Sequence, residues 1–137
     1  MALPAFTDSG GPVPGVGARG TVLGDLPDGP EAKASLAALY CAQMTTLTLG
    51  QLGGAAPIVV DGVFAENAVF MALLAAFLPE RPVVRSLERQ GTALGAASLA
   101  LPEGHGVPDP RCEEDAPADL DGLAAYHAQW LDRVASL

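Results

Sequence analysis

Hydrophobic positions in this chain change their spacing from one segment to the next, and the changes mark out its elements. Leu36, Leu39, Tyr40, Met44 and Leu47 recur at three- and four-residue spacing, which predicts a helix. It begins at Pro30, a residue suited to the first helical position. Glu31 follows in the first turn, where a negative charge complements the helix dipole. Thr45-Thr46-Leu47-Thr48 is weak helix sequence, so the end is expected to fray, and Gly50, Gly53 and Gly54 offer stop signals. Ile58-Val59-Val60 is short, β-branched and continuous, as expected of a strand covered on both faces. A second helix is predicted from about Ala65 to Leu78, with Asn67 in its first turn and Pro79 ending it. Pro82 to Arg85 predicts a second strand, and Gly91 to Leu101 a third helix stopped by Pro102. That helix is rich in small residues (Ala93, Gly95, Ala96, Ala97, Ala100), which permit close approach to a neighbour.

The flanks read differently. Met1 to Pro30 has no periodicity and carries the turn signals Gly10-Gly11-Pro12, Pro14-Gly15 and Asp28-Gly29-Pro30. An irregular arm of that length is unusual in a compact domain and should lie across something. Glu103 to Ala118 reads as a polar loop with Pro108, Pro110 and Pro117. A last helix, about Pro117 to Ser136, is amphipathic: Leu120, Leu123, Ala124, His127, Leu131 and Val134 share a face, with Tyr126 and Trp130 on its flank. The expected organisation is therefore an arm (1–30), an α/β core (31–102) and a loop with a helix (103–137). The order helix, strand, helix, strand, helix, helix implies an α/β layer with a parallel strand pair. Two strands are few for a sheet. The expectation is completion by another chain or copy, or membership of a larger domain.

Composition narrows the chemistry. A chain of 137 residues is one domain by length, and half its residues are hydrophobic, so a packed core is expected. Seven basic against sixteen acidic residues give 7 − 16 = −9, which argues against nucleic acid and against an anionic membrane surface. A nucleotide is still allowed, because helix N-termini and backbone amides bind phosphate locally. The two cysteines, Cys41 and Cys112, show no metal spacing and no disulfide framework. With no signal-peptide pattern and no long apolar run, the expectation is a reduced, cytoplasmic chain.

The candidate chemistry centres on Asp61-Gly62, which ends a strand, and on Asn67 at the following helix. Gly62 lets backbone approach a bound group, or simply makes the turn. Asn67 is either a ligand contact or a helix cap, and Asp61 either a hydroxyl acceptor or a cap. Gly91 and Thr92 open the third helix, facing a cleft or only starting the helix. Arg85 and Arg89 are weak phosphate candidates, since isolated surface cations are common. His105 is expected in an exposed loop, His127 on a helix face, partly buried, and Glu113-Glu114-Asp115 in a solvated run. No Walker loop, nucleophile elbow or HExxH is present.

These residues resemble a known family. Pro4-Ala5-Phe6 with Gly10-Gly11-Pro12, the helix Ala34-Ser35-Leu36-Ala37-Ala38-Leu39-Tyr40, the segment Ile58 to Asn67, and Gly91-Thr92-Ala93-Leu94-Gly95-Ala96-Ala97 are similar to the C-terminal end of the FGGY carbohydrate kinases. Those enzymes belong to the superfamily of actin, hexokinase and the Hsp70 ATPase domain. The resemblance implies a partial ribonuclease-H-like layer and a wall of a cleft that binds the adenosine of ATP. Gly62 and Asn67 would then contact nucleotide, with Asp61 and Gly91 behind them, and ATP with Mg²⁺ would be the cofactors. It also implies a sugar or polyol substrate that binds only with the rest of such an enzyme. The family's phosphate hairpin and its general-base aspartate have no counterpart here, so this chain is expected to have no catalytic residue and no kinase activity alone. At the turn, Val63 and Phe64 replace the glycines that usually follow Gly62; a positive φ there would exclude Val63. The rival expectation is a structural module that self-associates, for instance as a homodimer, through its exposed edge.

Overall fold

The structure is a computed structural model that describes residues 1–26, 28–88, 90–102 and 111–137. In chain order the elements are β1 (Ala2–Leu3), β2 (Thr21–Val22), α1 (Pro30–Leu52), β3 (Ile58–Val60), α2 (Ala68–Phe77), β4 (Val83–Ser86), α3 (Gly91–Ser98), β5 (Cys112–Glu114) and α4 (Leu123–Ala135). Strands β1 and β2 pair antiparallel. Strands β3 and β4 are parallel, and β5 joins β4 antiparallel, in the order β3-β4-β5. The architecture is mixed α/β, with two small sheets and four helices among the described residues.

Helix α1 starts at Pro30 as the sequence predicts, but it does not fray at its threonines. The Thr46 hydroxyl donates to the Ala42 carbonyl (2.9 Å) and the Thr48 hydroxyl to that of Met44 (2.8 Å), so both are satisfied on the helix itself. The helix runs through Gly50 and stops at Gly53, which adopts φ 72° and donates its N–H to the Leu49 carbonyl. Helix α2 is apolar all round, the pattern of a buried helix. Its Phe70, Met71, Leu73 and Leu74 form the main core with Ala38 and Ala42 of α1 and with Ile58 and Val83 of the sheet.

Among the described residues only one face of that sheet is covered by helices. Ile58 pairs with Val83, and both are buried; Val59 pairs with Val84 on the opposite face, and Val59 is 55 % exposed. The expectation of a strand covered on both faces is therefore corrected: α1 and α2 cover one side, while α3 buries no residue of its own.

The polar loop expected at 103–118 contains strand β5, with Leu87 N–H to the Arg111 carbonyl and Asp115 N–H to the Val83 carbonyl extending the pairing. The acidic run is not simply solvated. Arg85 forks onto Asp115, its Nε donating to Oδ2 at 2.8 Å and its Nη2 to Oδ1, and the Asp115 side chain is nearly buried. Such a bidentate pair is geometrically specific. Arg89 and His105 lie outside the described residues.

The last helix begins at Leu123 rather than Pro117. The Ala118 N–H is committed to the Ala72 carbonyl of α2 (2.8 Å), and Gly122 adopts φ 81°, so the chain cannot be helical before it. Its buried face is rotated from the predicted one. Val134 is buried as predicted and Trp130 from the flank is buried with it, whereas Leu120 and Leu131 are exposed. Trp130 packs with Leu3 and Val134 in a second cluster flanked by Met44 and Leu47 of α1, and its indole N–H donates to the Ala2 carbonyl (2.8 Å). Strand β1 is thus held between α1 and α4. Beyond β1 the chain touches α1 again: the Phe6 ring meets Tyr40 edge-on at 5.3 Å and lies close over Gly20, and the Gln51 amide donates to the Pro12 carbonyl (2.7 Å).

Candidate functional site

Strand β3 ends at Val60 and delivers Asp61 and Gly62 to the edge of the sheet. Gly62 has φ 73°, in the left-handed region that favours glycine, and open space lies above it. A single 3-10 turn, Gly62–Phe64, follows. The Ala65 N–H donates to the Gly62 carbonyl (3.0 Å) and the Asn67 N–H to that of Phe64 (3.2 Å). Among the described non-glycine residues only Ala18 has positive φ, so Val63 and Phe64 occupy ordinary backbone. Replacing the usual glycines leaves the turn unstrained; it changes the surface instead. Val63 is 81 % exposed and Phe64 48 %, with the Phe64 ring resting on Phe70 at 5.0 Å between centroids.

Asn67 is not in the first turn of α2 but caps it. With φ −89° and ψ 95° it stands just outside the helix, and its Oδ1 accepts from the Phe70 N–H at 3.0 Å. The side-chain oxygen is thereby occupied, and the side-chain NH₂ makes no hydrogen bond among the described residues. What Asn67 retains for a ligand is a donor, suited to a ring nitrogen or a carbonyl.

Asp61 precedes the turn in extended conformation (φ −123°, ψ 162°) and makes no cap bond. Its carboxylate lies against Gly91 at the start of α3: a Cβ on Gly91 would come within 2.7 Å of Asp61 Oδ2. Asp61 and Gly91, thirty residues apart, are thus in contact. Gly62 shares the turn with Asp61, while Asn67 stands at the far end of the turn, where the cap holds it. Thr92 is exposed. Arg85 does not reach the turn, because Asp115 engages it. The sequence placed Asp115 in a solvated run, and its pairing with Arg85 was missed because nothing local in the sequence links the two.

The arrangement offers an open glycine backbone, an amide donor and a carboxylate around one exposed edge. Among the described residues no group of three or more His, Cys, Asp or Glu side chains is placed to hold a metal ion. No helix among them is long and apolar enough to cross a membrane.

Residues 1–109 match the family described as carbohydrate kinase FGGY, C-terminal domain. The chain belongs to that family. Its fold is also similar to the crystal structure of a carbohydrate kinase from Novosphingobium aromaticivorans, with a TM-score of 0.80 and 29% sequence identity. The similarity covers 98% of this chain but 28% of that one, so the chain spans under a third of that kinase's length. Comparison with curated proteins gives no match.

Proposed function

We propose that this chain is the C-terminal, adenosine-side segment of an ATP-dependent carbohydrate kinase, and that it does not catalyse phosphoryl transfer alone. The observation that carries the reading is the FGGY C-terminal match over residues 1–109, which includes the strand–glycine–Asn67 turn. The core 31–102 then acts as one part of a ribonuclease-H-like layer, flanked in sequence by the arm 1–30 and the segment 103–137. Gly62 supplies open backbone for the nucleoside end of ATP, Asn67 donates to the base, and Asp61, held against Gly91, accepts from a ribose hydroxyl. The open space over Gly62 fits such a ligand. Among the described residues the candidate site offers one carboxylate, Asp61, too few to hold a resident Mg²⁺, so the metal would arrive with the nucleotide and be held by other parts of a kinase. The sugar or polyol would likewise be bound elsewhere, and a cytoplasmic setting is consistent with this reading.

Calorimetry with ADP and ATP tests it. Binding by the purified chain that weakens at least tenfold in Gly62→Trp, with no phosphorylation of any sugar, is the expected result. No heat at millimolar nucleotide would overturn the site assignment, and sugar phosphorylation by the chain alone would overturn the claim of inactivity.

A second reading rests on a different observation. Val59, Leu94 and Leu99 are exposed and β3 has one unpaired edge among the described residues, the features of a face that recruits another chain. A module that associates as a homodimer without nucleotide would grow in apparent mass with concentration by light scattering. A monomer at all concentrations removes this reading.

A further inference from the structure

The C-terminal end of α2 carries a feature that the nucleotide reading does not use. The His127 ring lies nearly parallel to Phe77, with centroids 4.1 Å apart and 17° between planes. On its own helix the Trp130 ring follows at 6.1 Å and 11°. His127 is half-buried, and its Nδ1 is buried with no hydrogen-bond partner among the described residues. A neutral imidazole tolerates this setting, because Nδ1 is then an acceptor on an apolar stack. An imidazolium does not: a second N–H appears where no acceptor stands among the described residues, and a full charge loses hydration on the ring face that Phe77 covers. Attraction of the cation to the aromatic faces offsets part of that cost.

We infer that His127 is an acid-sensitive latch, whose protonation releases α4, and with it strand β1, from the core. The link to β1 is direct. Trp130 is fully buried and donates its indole N–H to the Ala2 carbonyl, so α4 cannot lift without breaking that bond and opening the cluster of Leu3, Trp130 and Val134.

Among the described residues the neighbourhood supplies no counter-charge, and Asp119 and Asp121 ahead of α4 are exposed. Helix α2 has no ionisable side chain from Ala68 to Phe77. On α4 the residues one turn away are Leu123, Ala124, Trp130 and Leu131; Asp132 and Arg133 are exposed. Strand β1 contributes Ala2 and Leu3, and the Met1 ammonium donates to the Leu23 carbonyl. On α1, Glu31 and Lys33 lie at the exposed start, Tyr40 meets Phe6, and burial pushes the Cys41 thiol up, keeping it uncharged. After α2, Glu80 is exposed and Arg81 donates to the Ala56 carbonyl. Burial accordingly lowers the His127 pKa from its ordinary value near 6.5, with no opposing charge among the described residues. Because the folded-state pKa is the lower one, the stability from neutral His127 is complete above about pH 6.5. It declines as pH falls from there toward the folded-state pKa.

The test follows the full chain from about pH 8 to pH 5, a window in which unperturbed carboxylates stay charged. Trp130 is the one tryptophan, so its emission reads the state of α4 directly. The His127 ring protons are followed by NMR, assigned with His105→Gln, since the chain has two histidines. The expected result is a red shift of Trp130 emission whose midpoint lies below about 6.5 and coincides with the His127 titration. In His127→Phe the shift is expected to disappear. A His127 midpoint at or above the ordinary value, an unmoved Trp130 emission, or the same shift in His127→Phe would each overturn the latch. Should His127→Phe fail to fold, the two wild-type midpoints decide: coincidence supports the latch and separation refutes it. The readouts need no nucleotide, so failure here is distinct from failure of the kinase reading.

Discussion

Helices α2 and α3 each follow a strand of the same parallel pair, and both are built largely of apolar residues. Yet α2 buries Phe70, Met71, Leu73, Leu74 and Ala75, while α3 buries nothing. The difference is one of side-chain size and of available partners. Helix α2 carries bulky residues on all sides and meets α1 on one flank and the sheet on the other. Helix α3 is Gly91-Thr92-Ala93-Leu94-Gly95-Ala96-Ala97-Ser98, with Leu94 as its one large residue, half exposed. Hydrophobic composition alone therefore does not place a helix in a core; burial needs contact area, which small residues supply only when another surface comes close. The two helices also divide the molecule by role. The side of α2 and α4 is closed and holds the fold. The side of α3, Val59 and the Gly62 turn is open and holds the candidate site.

The sharpest test of that division is Trp130→Ala on the closed side. It removes the largest fully buried side chain and orphans the Ala2 carbonyl, so a loss of about 3–5 kcal/mol is expected in urea unfolding. A loss under about 1 kcal/mol would mean that α4 and β1 are not part of the cooperative unit. Gly62→Ala comes next: a left-handed φ of 73° is imposed on a Cβ residue, at a cost of about 1–2 kcal/mol, although space above the residue is open. A neutral effect would show that the turn relaxes. Asn67→Ala should cost about 1 kcal/mol through loss of the cap. Asn67→Asp separates the two roles of this residue, because the carboxylate still accepts from Phe70 while the NH₂ donor is gone. Stability is expected to hold and nucleotide affinity to fall, by calorimetry; unchanged affinity would reduce Asn67 to a cap. The smallest effect is expected on the open side, where Leu99→Ala should change stability by less than about 0.5 kcal/mol. A larger loss would mean that α3 is packed in solution after all.

Much of this division was legible in the sequence. Periodicity and punctuation determined α1 from Pro30, the β3–turn–α2 unit, β4, the small-residue character of α3 and the glycine at the turn. Those are local properties: the fixed φ of proline, the φ > 0 of Gly62, and a continuous apolar run that must be buried. The family resemblance rested on the same local patterns, and the match over residues 1–109 bears it out. Contacts distant in sequence were not legible. Strand β5 is three residues of Cys and Glu, which carry no strand signal, and it exists because β4 offers an edge and Asp115 meets Arg85. Helix α4 turned its Trp130 inward because Ala2, 128 positions away, offered a carbonyl. Asn67 became a cap, and Asp61 came to lie on Gly91, through where the backbone ran rather than through their residue types. The sequence by itself determined which segments become helix and strand and where the flexible glycine sits. Only the tertiary structure decided which faces are covered, because burial depends on partners that local pattern does not encode.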